Sequence, residues 1–128
     1  MQGNELVQFV VDTMDDMKAR DLRVLDVREV TTVTDTMIIA SGTSSRHVSA
    51  VAGHLVRSIK KAGMTPAGTE GEDGSDWVLV DLGEVVVHVM HPDLRAHYNL
   101  EKLWSLDEDG RDVPARQAGG SASPSSSD

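Results

Sequence analysis

Apolar residues recur at helical spacing at the start of the chain. Leu6, Val10, Thr13, Met14 and Met17 share one stripe, while Asp12, Asp15, Asp16 and Lys18 fall on other faces. The 3.6-residue period predicts an amphipathic helix over residues 4–19. Leu22 to Arg28 follows as a strand, then a Thr-rich connection from Thr31 to Thr36. Met37-Ile-Ile-Ala-Ser41 is short and continuously apolar, the pattern of a strand buried on both faces. Gly42-Thr-Ser-Ser45 signals a turn and N-cap. It opens a second helix with Val48, Val51, Ala52, Leu55, Val56 and Ile59 on its apolar side, closing through Lys60, Lys61 and Gly63. Residues 65–76 are rich in Gly, Glu and Asp, with at most a short strand at their start. Pro92 begins a last helix whose apolar side is Leu94, Tyr98, Leu100, Leu103 and Trp104, with a break expected near Asn99.

Between them lies Trp77-Val-Leu-Val-Asp-Leu-Gly-Glu-Val-Val-Val-His-Val-Met90, two apolar strands around a Leu-Gly turn. With Leu82-Gly83 as a two-residue turn, Asp81 pairs with Glu84, Val80 with Val85, Leu79 with Val86 and Trp77 with His88. Alternation then sorts the side chains. Val78, Val80, Val85, Val87 and Val89 make a pure β-branched face. Trp77, Leu79, Asp81, Glu84, Val86, His88 and Met90 make a mixed one, unlike ordinary core or ordinary solvated surface. Such a face is covered by the chain's own helix or by another protein. The order α-β-β-α-(β)-β-β-α predicts a single α/β domain, a mixed β-sheet with flanking helices.

Composition narrows the function classes. The 128 residues contain no cysteine, which excludes disulfides, thiolate catalysis and Cys-ligated zinc. No apolar run reaches the ~20 residues of a membrane span, and Met1 to Glu5 lacks the features of a signal peptide; the expected location is cytoplasmic, with no membrane partner. The net charge is −9, with sixteen acids and ten bases in residues 1–104 and five acids and two bases beyond. That balance offers no footprint for direct sequence-specific binding of nucleic acid. From Ser105 the chain turns polar and serine-rich, so residues 1–105 are expected to form the domain and 106–128 a disordered acidic tail.

No catalytic arrangement competes with the mixed face. The Ser41-Gly-Thr-Ser-Ser-Arg-His47 turn has amides and hydroxyls at a helix N-terminus, where a phosphate can bind, but it lacks a P-loop lysine and reads as a cap. Asp35 reads as a turn residue before it reads as a base. The five histidines (His47, His54, His88, His91, His97) show no metal-ligand spacing. Asp81 and Glu84, opposite each other at a hairpin tip, read as a solvated pair. Trp77, His88, Met90, Tyr98 and Trp104 together have the make-up of an interface hot spot, which favours a binding module over an enzyme.

Several motifs also carry a family resemblance. They are Leu25-Asp-Val-Arg28, Thr34-Asp35, Met37 to His47, Glu70-Gly71, Asp76 to Met90 and Tyr98-x-Leu-Glu-Lys-Leu-Trp104. In this order and spacing, from about residue 4 to 105, the chain resembles the bacterial ribosomal silencing factors, the Iojap family. The resemblance implies a nucleotidyltransferase-like fold without the chemistry, since no Asp-x-Asp or Asp-x-Glu follows the Gly-Ser turn in the next strand to hold magnesium. It implies no cofactor and no metal. It also implies binding to the large ribosomal subunit through ribosomal protein fourteen, which blocks joining of the small subunit and lowers translation in starvation or stationary phase. The contact surface it carries over is Trp77, Asp81, His88, Met90, Tyr98 and Trp104, with Lys60 and Arg95 beside them. It leaves room for a homodimer of the free protein. The alternative is a nucleotide-binding or nucleotidyltransferase enzyme using Gly42-Thr43-Ser44 with Asp35.

Overall fold

The computed structural model describes residues 1–71 and 75–98. The elements, in chain order, are α1 (Gly3–Asp16), β1 (Arg20–Asp26), β2 (Thr36–Ser41), α2 (Ser45–Lys61), β3 (Gly68–Glu70), β4 (Trp77–Asp81), β5 (Val85–Met90) and α3 (Pro92–Tyr98). The five strands form one sheet in the order β1-β2-β5-β4-β3. All pairings are antiparallel except the central one, where β2 runs parallel to β5. The mixed sheet with flanking helices matches the expectation from hydrophobic patterning. No described helix is long and apolar enough to cross a membrane.

Hydrophobic alternation decides how the layers stack. Leu6, Val10 and Met14 from α1, with Val48, Val51, Leu55 and Ile59 from α2, pack onto one side of the sheet. There they meet Ile38, Ala40, Val78, Val80, Val85, Val87 and Val89. The other side holds a smaller cluster of Leu25, Val27, Met37, Ile39 and Met90, against which Trp77 and Leu94 pack. β2 is buried on both faces, as its unbroken apolar run requires.

Element ends differ from the periodicity for local reasons. α1 stops at Asp16 rather than continuing to 19. Lys18 takes a left-handed conformation with φ of 61°, and the amide of Ala19 donates back to the Met14 carbonyl at 3.1 Å. β1 begins early, at Arg20, but is irregular between Arg20 and Arg23, where Asp21 has φ of 50°. It ends at Asp26 because the Val27 carbonyl is taken by the amides of Val30 and Thr31 in a turn. The Leu25-Asp-Val-Arg28 motif thereby splits by role. Leu25 and Val27 are buried. Arg28 donates to both carboxylate oxygens of Asp26, at 3.0 and 2.6 Å, and holds that exposed carboxyl down at about 2.

The β4–β5 hairpin has the expected faces but not the expected pairs. Trp77 lies opposite Met90, Leu79 opposite His88, Val80 opposite Val87 and Asp81 opposite Val86. The Leu82 amide donates to the Val85 carbonyl at 2.8 Å, so Gly83-Glu84 is the two-residue turn, with Gly83 at φ of 91°. A turn starting with glycine in that conformation matches the strand twist, which the pair Leu82-Gly83 does not offer. The register moves by two residues, an even step, so every side chain keeps its face.

Candidate partner-binding face

Cross-strand register lays out the side opposite α1 and α2 as rows. One row runs Arg23 (β1), Ile39 (β2), His88 (β5), Leu79 (β4), Glu70 (β3). The next runs Leu25, Met37, Val86, Asp81. A third is Ser41, Met90, Trp77. Burial grades across these rows. Leu25, Met37, Ile39, His88 and Met90 are buried, whereas Trp77, Leu79, Asp81 and Val86 are half-buried. The result is an apolar strip of Trp77, Leu79 and Val86 on the β4–β5 half of the face, with Glu70 and Asp81 around it and Arg23 at the far edge of the sheet.

Trp77 sits on a built seat. Its indole Nε1–H donates to Nδ1 of His88 at 3.0 Å, with ring centroids 5.9 Å apart and planes tilted by 47°. Since Nδ1 accepts, the His88 proton is on Nε2. Burial pushes the His88 imidazole down from 6.5 to about 4, so it is neutral at pH 7. Behind the indole, Met90 is 0 % exposed and Leu94 of α3 packs into the same cluster. Arg95 ties α3 down by donating from Nη1 to the Ser41 hydroxyl at 3.0 Å. The His91 amide donates to the Asp76 carbonyl at 2.7 Å, extending the ladder one step past Trp77 and Met90.

These positions sort the expected contact residues. Trp77 lies in the strip and Asp81 on its rim, both half-buried. Met90 and His88, at 0 % and 6 % exposure, lie beneath it and offer no surface of their own, which corrects their expected role as direct contacts. Their hydrophobic and hydrogen-bonding capacity is spent on seating Trp77. Lys60 is exposed but stands on α2, in the layer on the far side of the sheet, so it is not gathered with Trp77. Arg95 lies at the α3 margin. Tyr98 ends α3, and Trp104 lies outside the described residues. Leu79 and Val86 share the strip with Trp77 but stand outside the expected contact set. Alternation places Leu79 and Val86 on the face of Trp77, but two aliphatic residues in a strand look like core until their half-exposure is seen.

The rival sites are occupied by structure. In the Gly42–His47 turn, the Gly42 amide donates to the Met90 carbonyl at 3.0 Å and the Thr43 amide to Nδ1 of His47 at 2.9 Å. The His47 amide donates to the Ser44 hydroxyl at 3.1 Å, and His47 Nε2 meets the Met17 carbonyl at 2.7 Å. The Ser45 hydroxyl bonds Asp76. This turn clamps α2 to β2, β5 and the end of α1, and the Gly42, Thr43 and His47 amides are spent on the clamp. Asp35 is exposed and pairs through its backbone, to Val27 and Glu84. Asp81 and Glu84 are not opposite each other, as was expected. Asp81 accepts from the Gly83 amide at 2.8 Å, while the Glu84 carboxylate accepts from the Gly3 amide at the start of α1. Among the described residues, no three His, Asp or Glu side chains converge on a point that a metal ion could occupy.

A sheet with two helices on one side and, among the described residues, a half-buried aromatic-centred strip on the other has the make-up of a binding module. A family model described as ribosomal silencing factor during starvation matches residues 1–128. A protein of Haemophilus influenzae named ribosomal silencing factor RsfS is 49% identical over 100 residues, 78% of this chain and 98% of that one. A crystal structure of a Chromobacterium violaceum protein superposes with a TM-score of 0.78 at 37% identity, over 92% of this chain and 95% of the other. A chloroplast protein of Zea mays named Iojap is 34% identical over 89 residues, 70% of this chain and 39% of the maize protein. The chain belongs to the ribosomal silencing factor family, whose members are regulatory proteins and not enzymes.

Proposed function

We propose that this chain represses translation in the cytoplasm by binding the large ribosomal subunit through its ribosomal protein fourteen. Bound there, it stands where the small subunit would join, and so lowers protein synthesis in starvation. The observation that carries the reading is the half-buried strip of Trp77, Leu79 and Val86 on a sheet face left open by α1 and α2. In this reading the strip is the apolar centre of the contact, with Asp81 on its rim and Tyr98 and Trp104 as further contact residues. Large aromatics surrounded by polar groups supply affinity at interfaces. The net charge of −9 suits a basic ribosomal protein, and acts mainly on association rate and orientation.

Co-sedimentation tests the reading. The chain is expected to pellet with isolated large subunits and not with joined ribosomes, and adding it before small subunits should lower the yield of joined particles. Equal retention on both particles would remove steric exclusion as the mechanism.

A further inference from the structure

We propose that His88 is a positioning residue: its imidazole accepts the indole N–H of Trp77 and fixes the tilt of that ring on the partner-binding face, without touching the partner itself. The inference rests on the reading that the Trp77 face is the binding face. Three observations carry it. The pair is joined at 3.0 Å between Nε1 and Nδ1, with the rings tilted by 47° rather than stacked. His88 is 6 % exposed while Trp77 is half-buried, so the histidine is the base and the indole the presented group. The two side chains come from adjacent strands, one rung apart on the diagonal, because Trp77 is opposite Met90 and Leu79 opposite His88.

An indole on a strand swings about two side-chain torsions. Met90 and Leu94 supply an apolar seat that resists its departure but does not choose its orientation. A hydrogen bond from the ring's single polar atom does choose. Binding by an aromatic anchor is tighter when the ring is already held in its bound orientation, because the ordering cost is met beforehand. A merely structural histidine in this place would be replaceable by any side chain that fills the volume. A positioning one needs an acceptor where Nδ1 stands.

The two roles separate in a Trp104→Phe background, where Trp77 is the sole tryptophan and gives one indole N–H resonance. His88→Asn keeps an acceptor oxygen near the place of Nδ1. His88→Phe fills the volume without one. The indole resonance of free protein should stay near its wild-type position in His88→Asn and shift, with faster exchange, in His88→Phe. On isolated large subunits, koff should rise roughly ten-fold for His88→Phe, the loss of one hydrogen bond, and by less than about three-fold for His88→Asn. Trp77→Phe removes the donor while leaving His88 in place, and keeps the test open if His88→Phe does not fold. It should show a similar rise, and adding His88→Asn to it should change nothing further. An unshifted indole resonance in a folded His88→Phe protein overturns the proposal. So does equal loss of binding in His88→Asn and His88→Phe with the resonance kept, which would make His88 a contact. If the unmodified protein fails to bind large subunits, the functional reading falls, while the resonance still decides whether His88 holds the ring.

Discussion

Acidification should weaken this fold through one buried ring. The His88 imidazole is held down to about 4 by burial, against 6.5 in the unfolded chain. Between those values the unfolded chain binds a proton that the folded chain refuses. The stability associated with a neutral His88 is therefore complete above pH 6.5 and lost progressively as the pH falls towards 4. The slope is about 1.4 kcal/mol per pH unit for one proton, so the loss reaches about 3 kcal/mol at pH 4, a large part of the stability of a domain this size. The charged groups nearest in the rows of this face are Arg23 on β1, Asp81 on β4 and Glu70 on β3, with Arg95 reaching in from α3; the shift itself comes from desolvation. Asp26, held at about 2, loses its contribution only between 3.8 and 2, below the window of interest. Urea unfolding of the wild type and of His88→Asn at pH 7, 6, 5 and 4.5 isolates the effect, since titrations common to both cancel in the difference. The wild type should lose about 2 to 3 kcal/mol relative to the variant across that range. Parallel curves, with the difference flat to within about 0.5 kcal/mol, would refute the assignment of a buried neutral imidazole.

Other substitutions test separate parts of the structure. Gly42→Ala places a Cβ 2.8 Å from the Val48 amide nitrogen and 3.0 Å from its Cα, where backbone must yield; it should cost about 2 kcal/mol, read as a lower urea midpoint. Trp77→Ala should leave the fold standing, because the residue is half-buried, while raising koff from large subunits by roughly 30-fold; an unchanged koff in a folded variant takes Trp77 out of the hot spot. Lys60→Ala, in the far layer, should alter subunit binding by less than about two-fold, and a larger loss measured by co-sedimentation would put α2 in the interface.

The elements were readable from hydrophobic period because each buries one clear face. Even the misplaced hairpin turn left the Trp77 face correctly composed, since moving the pairing by two residues preserves alternation. Glycine decided the register through its conformation at Gly83, a property that residue type suggests for either neighbouring turn and only the backbone resolves. Depth was the harder quantity. Met90 and His88 look identical in pattern to Leu79 and Val86, all on one face of one hairpin. What separates them is what packs above the sheet: Trp77 and Leu94 pack on the cluster that holds Met90, and the Trp77 indole lies against His88, whereas Leu79 and Val86 stay half-buried. Cover of that kind is set by tertiary neighbours distant in sequence. The Gly42–His47 turn shows the same point from the other side. Two of its amides, those of Thr43 and His47, look available on paper and are consumed by His47 and Ser44, from within its own motif.

The parallel pairing of β2 with β5 has a consequence for how the chain is made. β2 ends at Ser41 and β5 begins at Val85, so the middle of the sheet is closed by segments far apart along the chain. As synthesis proceeds from the N-terminus, the β1–β2 pair leaves the ribosome well before β5 and carries Thr36-Met-Ile-Ile-Ala-Ser41 as a bare edge. Until Val85 to Met90 arrive, that edge is an apolar template open to wrong partners. Non-local pairing of this kind is intrinsically slow, because the loop-closure entropy comes before the contacts that offset it. The nascent chain is thus most prone to aggregation in the interval between completion of β2 and emergence of β5.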